Sequence, residues 1–434
     1  GTLRYRELYN GIDLLFTQHD HYFKYEFMVQ PGANPNQITM EYEGVKGLSL
    51  SKGNLIVRTD NGQIIELKPF AFQLDNHGDT LVVECNYRLE KQKLSFSIET
   101  YDPTRILVID PVLIFSSYSG STADNWGYSA TYDAHGNAYS GGNAFNIGYP
   151  TTTGAYQVNF GGASCDIAIS KFDATGSFLH YSTYLGGSGT EIPHSLIVNS
   201  NDELIILGST SSTDYPVTAG TYDTAFNGGS YYLLTSVLRY NSGSDIVLTK
   251  FNSTGTALLG STYLGGTGND GLNTIAALKK NYADEVRGEV MIDGDNNIYI
   301  VSSTQSVDFP VTTGVFQPQH NGGVQDACIV KMNHNLTNVI WSTYLGGSGD
   351  DAAYSMVLAS DRSIFLCGGT NSLDFATSPG AIQTTYGGGV ADGYVAHIHA
   401  NGNQLVHASY IGKAGYDQAY LIKNDRYNNP HLFG

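Results

Sequence analysis

The sequence predicts an all-β protein, and three observations carry that reading. Only 14% of the 434 residues are charged, against 51 glycines and 31 tyrosines, a mix poor in helix formers and rich in turn and strand formers. The phrase STYLGG stands at 182–187, 261–266 and 342–347. Between its copies, short apolar runs alternate with Asx- and Gly-bearing turns.

Residues 1–110 show no period. The alternating runs HYFKYEFMV (21–29), NLIVRTDNGQIIEL (54–67) and LVVECNYRL (81–89) predict the hairpins of a small β-sandwich-like domain. From residue 111 to 434 the chain repeats. The tyrosine of STYLGG serves as a ruler at Tyr184, Tyr263 and Tyr344, with weaker copies at Tyr118 and Tyr410. Its spacings are 66, 79, 81 and 66 residues, and the two long ones hold extra matter at 230–244 and near 279–288.

Each unit contains four strand-like runs. In the third they are GEVMID (288–293), NNIYIVSS (296–303), DACIVKM (326–332) and NVIWSTYL (338–345). Four antiparallel strands, repeated, predict the blades of a β-propeller. The blades are expected at about 126–185, 192–264, 287–345 and 353–410. A fifth starts at Asp417 and stops after NPHLFG (429–434), so the natural chain is expected to continue. VLIFSSY (112–118) predicts a lone strand of the kind that closes a propeller ring. STYLGG itself reads as the last strand of a blade and the bend into the next.

Between the second and third strands lies a loop motif: GYPTTTGAYQ (148–157), DYPVTAGTYD (214–223), DFPVTTGVFQ (308–317) and DFATSPGAIQ (374–383). Proline after an aromatic cannot continue a central strand, so the aromatic is expected to plug an ordered loop. The chain then returns at a repeated aspartate: Asp166, Asp245, Asp326 and Asp392.

The candidate site is an acid seven residues after each ruler tyrosine: Glu191, Asp270, Asp351 and Asp417, with Asn125 at the first copy. Strand alternation places these residues at the end that carries the aromatic loops, as a ring around a channel mouth. Hard oxygen donors there would suit a ligand or Ca²⁺. The alternative is that each acid caps its own glycine turn. Whether any metal binds stays open, and no cofactor is expected otherwise.

Weaker candidates read as architecture. DGDNN (293–297) lacks the closing glutamate of a calcium loop and is expected to be a strand turn. His397 and His399 stand where other blades have Lys171, Lys250, Lys331 and turn residues, so they and His407 are expected at solvated positions. His19 and His21 in QHDHYF (18–23) have no third ligand nearby. Cys85, Cys165, Cys328 and Cys367 lack metal or redox spacing and are expected to be buried thiols.

The unit GNxY…DFPVTxGxxQ…D…VxKF…STYLGGSGxD resembles the SBBP β-propeller repeat of bacterial surface proteins. The preceding YNGIDLLF…KYEFMVQPGANP…IDPVLIFSS is similar to the domain that commonly leads into such repeats. The resemblance implies an exported, extracellular protein of the Bacteroidota type and a type IX secretion cargo, with secretion and cell-surface machinery as partners. It implies no catalytic residues.

The formal net charge of −18 lies mostly in the repeats, −14 against −4 in residues 1–110. A polyanion gains nothing from phosphate backbones, so nucleic acid is not an expected partner. No apolar stretch is long enough for a membrane span, and GTLRYRELYNG has no charged-then-apolar leader. GxSxG, HExxH and P-loop motifs are absent. The expected function is non-catalytic binding or adhesion to a surface glycan or protein. A hydrolase of extracellular polysaccharide and a structural spacer are the alternatives.

Overall fold

The computed structural model describes residues 2–19, 22–42, 44–59, 62–66, 68–74, 80–110, 121–174, 176, 178–234, 237–425 and 429–434. It divides into two compact units, residues 1–117 and 118–434. VLIFSSY lies outside the described residues, as do His21 and the side chain of His19. No described helix is long and apolar enough to cross a membrane.

The first unit is a sandwich-like packing of antiparallel hairpins. One six-stranded sheet runs, edge to edge, Thr2–Tyr9, Ile12–His19, Tyr22–Val29, Leu107–Asp110, Phe70–Leu74, Thr80–Val83. Two three-stranded sheets, built around Cys85–Ile98 and Gly47–Glu66, complete it. The inward residues of all three sheets form one core, including Ile12, Phe27, Val29, Leu55, Val57, Leu94, Phe96 and Ile109. Period-two alternation is what sends them to one face.

The second unit is a β-propeller array. Blade 1 comprises Asn125–Tyr132, Ala138–Ala144, Asp166–Phe172 and Leu179–Leu185; blade 2 comprises Glu191–Val198, Leu204–Thr210, Asp245–Phe251 and Leu258–Leu264. Blade 3 holds Glu289–Ile292, Ile298–Thr304, Asp326–Met332 and Val339–Leu345. Blade 4 holds Asp351–Leu358, Ile364–Thr370, Asp392–Ile398 and Leu405–Ile411, and the hairpin Leu421–Asn424/Pro430–Phe433 follows. Strands pair in chain order within each blade, and first strands of successive blades pack on one another. The extra matter of blade 2 is a short hairpin, Tyr232–Leu234 with Leu238–Tyr240. That before blade 3 forms two 3₁₀ turns, Ala276–Leu278 and Tyr282–Val286.

The ruler tyrosine has a physical reason to recur. Tyr263 donates its hydroxyl to the carbonyl of Ser212 (2.8 Å) and accepts from the amide of Tyr215 (3.1 Å). Tyr344 does the same for Ser306 and Phe309, and Tyr410 for Ser372 and Phe375. One buried hydroxyl thus satisfies two backbone groups of the loop that carries the aromatic plug. The plugs Tyr149, Tyr215, Phe309 and Phe375 are all buried. Tyr263→Phe is expected to cost about 2 kcal/mol, since it strands a buried N–H and C=O. Urea unfolding would measure it; a midpoint equal to the parent's refutes this role.

One expectation is corrected. The positions of Lys171, Lys250 and Lys331 are not solvated; the three side chains are 6%, 6% and 9% exposed. Lys171 lies 3.2 Å from the turn carboxylate of Asp133 and 4.8 Å from the centre of the Tyr139 ring. Lys331 stands likewise on Asp293 and Tyr299. The turn acid and the ring together compensate the buried ammonium. In blade 4 the equivalent pair is His397 stacked at 4.1 Å on Phe365.

Candidate functional site

Each blade junction is assembled from the same parts. A fourth strand runs into Gly-Gly, and five residues after the first of these glycines stands Glu191, Asp270 or Asp351, each with 0% exposure; Glu191 and Asp351 open the next blade's first strand, while Asp270 makes an isolated bridge to Thr304 ahead of blade 3. Glu191 accepts from the hydroxyls of Thr210 (2.6 Å) and Ser212 and from the amide of Gly187 (3.3 Å). Asp270 accepts from the hydroxyls of Thr304 and Ser306 (2.7 Å) and from the amide of Gly266 (2.8 Å). Asp351 accepts from Ser372 (2.7 Å), the Gly347 amide (2.8 Å) and the Thr370 hydroxyl.

The three acids therefore sit beneath the glycine turns, not on an open rim. Asn125 is exposed; Asp417 is half-buried and accepts from the Lys413 amide at 2.9 Å. The motif that draws the acids inward is Thr-x-Ser at the end of the second strand in blades 2, 3 and 4: TSS (210–212), TQS (304–306) and TNS (370–372). That repeat is a signal visible in the sequence alone.

The aspartates opening each third strand face these acids. Asp166, Asp245, Asp326 and Asp392 are fully buried. Asp166 Oδ2 accepts from the amide of Gly161 (2.6 Å), and Asp326 Oδ2 from that of Asn321 (2.9 Å). A side chain on Gly186 would lie 2.6 Å from Glu191 Oε2 and 2.8 Å from Asp166 Oδ1. On Gly265 it would lie 2.7 Å from Asp270 Oδ2 and 2.8 Å from Asp245 Oδ1. On Gly346 it would lie 2.7 Å from Asp326 Cγ and 2.8 Å from Asp351 Oδ2. Two carboxyl groups from successive repeat units thus pack closely against a glycine that has no room for a side chain.

Burial pushes all of them up: Asp166 and Asp245 to about 7, Glu191, Asp270 and Asp326 to about 8, Asp351 to about 6. Desolvation is the largest cause, and in all six the facing carboxylate or another acid adds to it. A third acid, from the aromatic loop, behaves oppositely. Asp214, Asp308 and Asp374 accept from the amides of Ser188, Thr267 and Ser348, which hold them below the usual carboxylate range. These bonds place the junction turn and the aromatic loop at the same end of the blade.

Beside each buried plug the loop exposes an apolar residue. Ile147, Val307 and Leu373 are 72%, 76% and 74% exposed, each two residues before the aromatic. Blade 2 has Thr213 there.

The remaining candidates are structural. Asp293 of DGDNN caps its turn through the amides of Asp295 and Asn297, both at 2.9 Å. His397 bonds Ser363 Oγ at 2.8 Å, His399 accepts from the Asn401 amide, and His407 lies near Ser378. Among the described residues, the one group of three or more at metal-holding distance is Asp133, His135 and Asp202. Asp133 is already taken up by Asn137, Tyr139 and Lys171. All four cysteines are buried free thiols.

Residues 1–112 match a family model described as a domain of unknown function, DUF7948. No curated protein matches the chain in sequence. Among solved structures, the chain is similar to a protein of unknown function from Dyadobacter fermentans (10% identity, 74% of this chain, 77% of that one, TM-score 0.37). It is also similar to the NanB sialidase from Streptococcus pneumoniae (10% identity, 92% and 72%, TM-score 0.38). A quinohemoprotein alcohol dehydrogenase from Comamonas testosteroni gives 8% identity over 94% and 67%, with a TM-score of 0.30.

Proposed function

We propose that this chain is a non-catalytic binding module that displays its aromatic loops to a surface glycan or protein, as an exported, cell-surface adhesion protein. The observation that carries the reading is the repeated loop: a buried aromatic anchors it, and Ile147, Val307 and Leu373 stand exposed at one equivalent position in three blades. Apolar side chains held out on rigid loops are contact points for a partner, not for the core. Export by a type IX route in a Bacteroidota-type bacterium belongs to the same proposal and rests on the likeness of the repeat.

The test is retention of the purified chain on immobilised glycans and matrix proteins, with released products read from the same wells. The triple variant Ile147→Ser, Val307→Ser, Leu373→Ser is expected to lose at least about tenfold in retention, with its unfolding midpoint unchanged. Released products would replace this reading with a hydrolase of extracellular polysaccharide. Neither retention nor products would leave a spacer.

A further inference from the structure

The buried lysines of the blades are not housed alike. Lys171 stands across the sheet from Tyr139 on one side and Tyr181 on the other, and Lys331 from Tyr299 and Trp341. In blade 2 the two positions beside Lys250 are Ile205 and Gly260, so both rings are gone. At Gly260 the turn of blade 3 closes in, with Leu336 Cδ1 and the Asn335 carbonyl 3.3 Å from where a side chain would begin. At Ile205, shorter than tyrosine and without its hydroxyl, a cavity of about 150 Å³ lies beside the lysine. Ile205, Lys250, Asn199 and Glu203 line it. Their counterparts in blade 1 are Tyr139 and the groups around its hydroxyl, Lys171, Asp133 and Asn137.

The mouth of the cavity is different too. Between blades 1 and 2 the first-to-second-strand turns are bridged by His135 and Asp202 at 3.3 Å, and between blades 3 and 4 by Asp295 and Arg362 at 2.5 Å. Between blades 2 and 3 the same two turn positions are Asn201 and Asn296, and both line the cavity. The charge inside is balanced, for Lys250 Nζ lies 3.4 Å from Glu203 Oε2 and donates to the His334 carbonyl at 3.0 Å.

We propose that this cleft between blades 2 and 3 is a subsite for one neutral saccharide unit. A cavity of about 150 Å³ admits a single six-membered ring. Apart from Ile205 its lining side chains are polar, which suits a ring carrying hydroxyls over a bare aromatic one. Each sugar hydroxyl both donates and accepts; the amides of Asn201 and Asn296 offer both roles, the carboxylate of Glu203 accepts and the ammonium of Lys250 donates. Lysine and glutamate cancel, so a neutral sugar leaves no charge uncompensated. The cleft lies at the blade end opposite the aromatic loops, and the proposal does not rest on what those loops contact.

Saturation-transfer NMR on the purified chain would use methyl glucoside, methyl galactoside, methyl mannoside and N-acetylglucosamine as probes. Transfer to at least one is expected, with a Kd on the order of 1–10 mM for so small a ligand. Ile205→Tyr, which puts the side chain of blades 1 and 3 into the cavity, is expected to abolish it. Asn201→Ala keeps its backbone bond to Asn199 and is expected to weaken binding about threefold or more, which decides the matter should Ile205→Tyr fail to fold. The loop variant Ile147→Ser, Val307→Ser, Leu373→Ser is expected to bind these sugars as the parent does. No transfer to any probe, transfer undiminished in the cavity variants, or transfer lost in the loop variant would overturn the proposal. Uptake of p-cresol in place of the sugars would overturn it as well.

Discussion

Raising the pH from about 6.5 to about 8 is expected to lower the midpoint of thermal unfolding by on the order of 10 °C. The sign follows from the junction carboxyls. Burial raises Asp166, Asp245, Glu191, Asp270 and Asp326 to between about 7 and about 8, while the unfolded chain returns them to ordinary carboxyl values. Between those limits the folded state holds protons that the unfolded state has lost. Stability is therefore complete below the unfolded values and drains away as pH rises through the folded ones.

Other groups act outside this window. His194 is pushed down to about 3 by burial and His320 is lowered too, so they weaken the fold only as pH falls below the ordinary histidine value. Asp133, Asp214, Asp293, Asp308 and Asp374 are lowered, and their contributions fade in acid. Scanning calorimetry across the window tests the sign. A midpoint that stays level or climbs would show that the buried pairs do not titrate as described.

Gly346→Ala is expected to cost about 3 kcal/mol or more. Its backbone is not left-handed, so the cost is steric and electrostatic: the new methyl would lie 2.7 Å from Asp326 Cγ and 2.8 Å from Asp351 Oδ2. Neither carboxyl can retreat without giving up the Asn321 amide or the Ser372 and Gly347 donors. Gly294→Ala, at a turn with nothing within 4 Å of the new atom, is the control and is expected to change stability by under about 0.5 kcal/mol. Equal denaturation midpoints for the two variants would refute the close-packed junction.

Much of the fold was legible because its determinants are local. Strand alternation, the Asx and Gly turns, and the 66-residue ruler place every blade within a few residues of the observed strands. The aromatic plugs were legible too, since proline beside them rules out a continuing strand. The lysines were misread because a lysine's default is solvent. Only the turn acid and the tyrosine ring, meeting it across strands, reverse that.

The candidate site divides along the same line. Glu191, Asp270 and Asp351 could be picked out by their spacing from the ruler tyrosine, for spacing is a property of the chain. Their depth could not, because it depends on Thr and Ser hydroxyls arriving from the adjoining strand. Nor could their partners: Asp166 and Glu191 belong to different blades and meet only when one sheet packs on the next. By itself the sequence determined the repeat, the strand order and the residues able to carry charge. The tertiary structure decided which charges are buried together, since desolvation and like-charge proximity exist only once the blades have stacked.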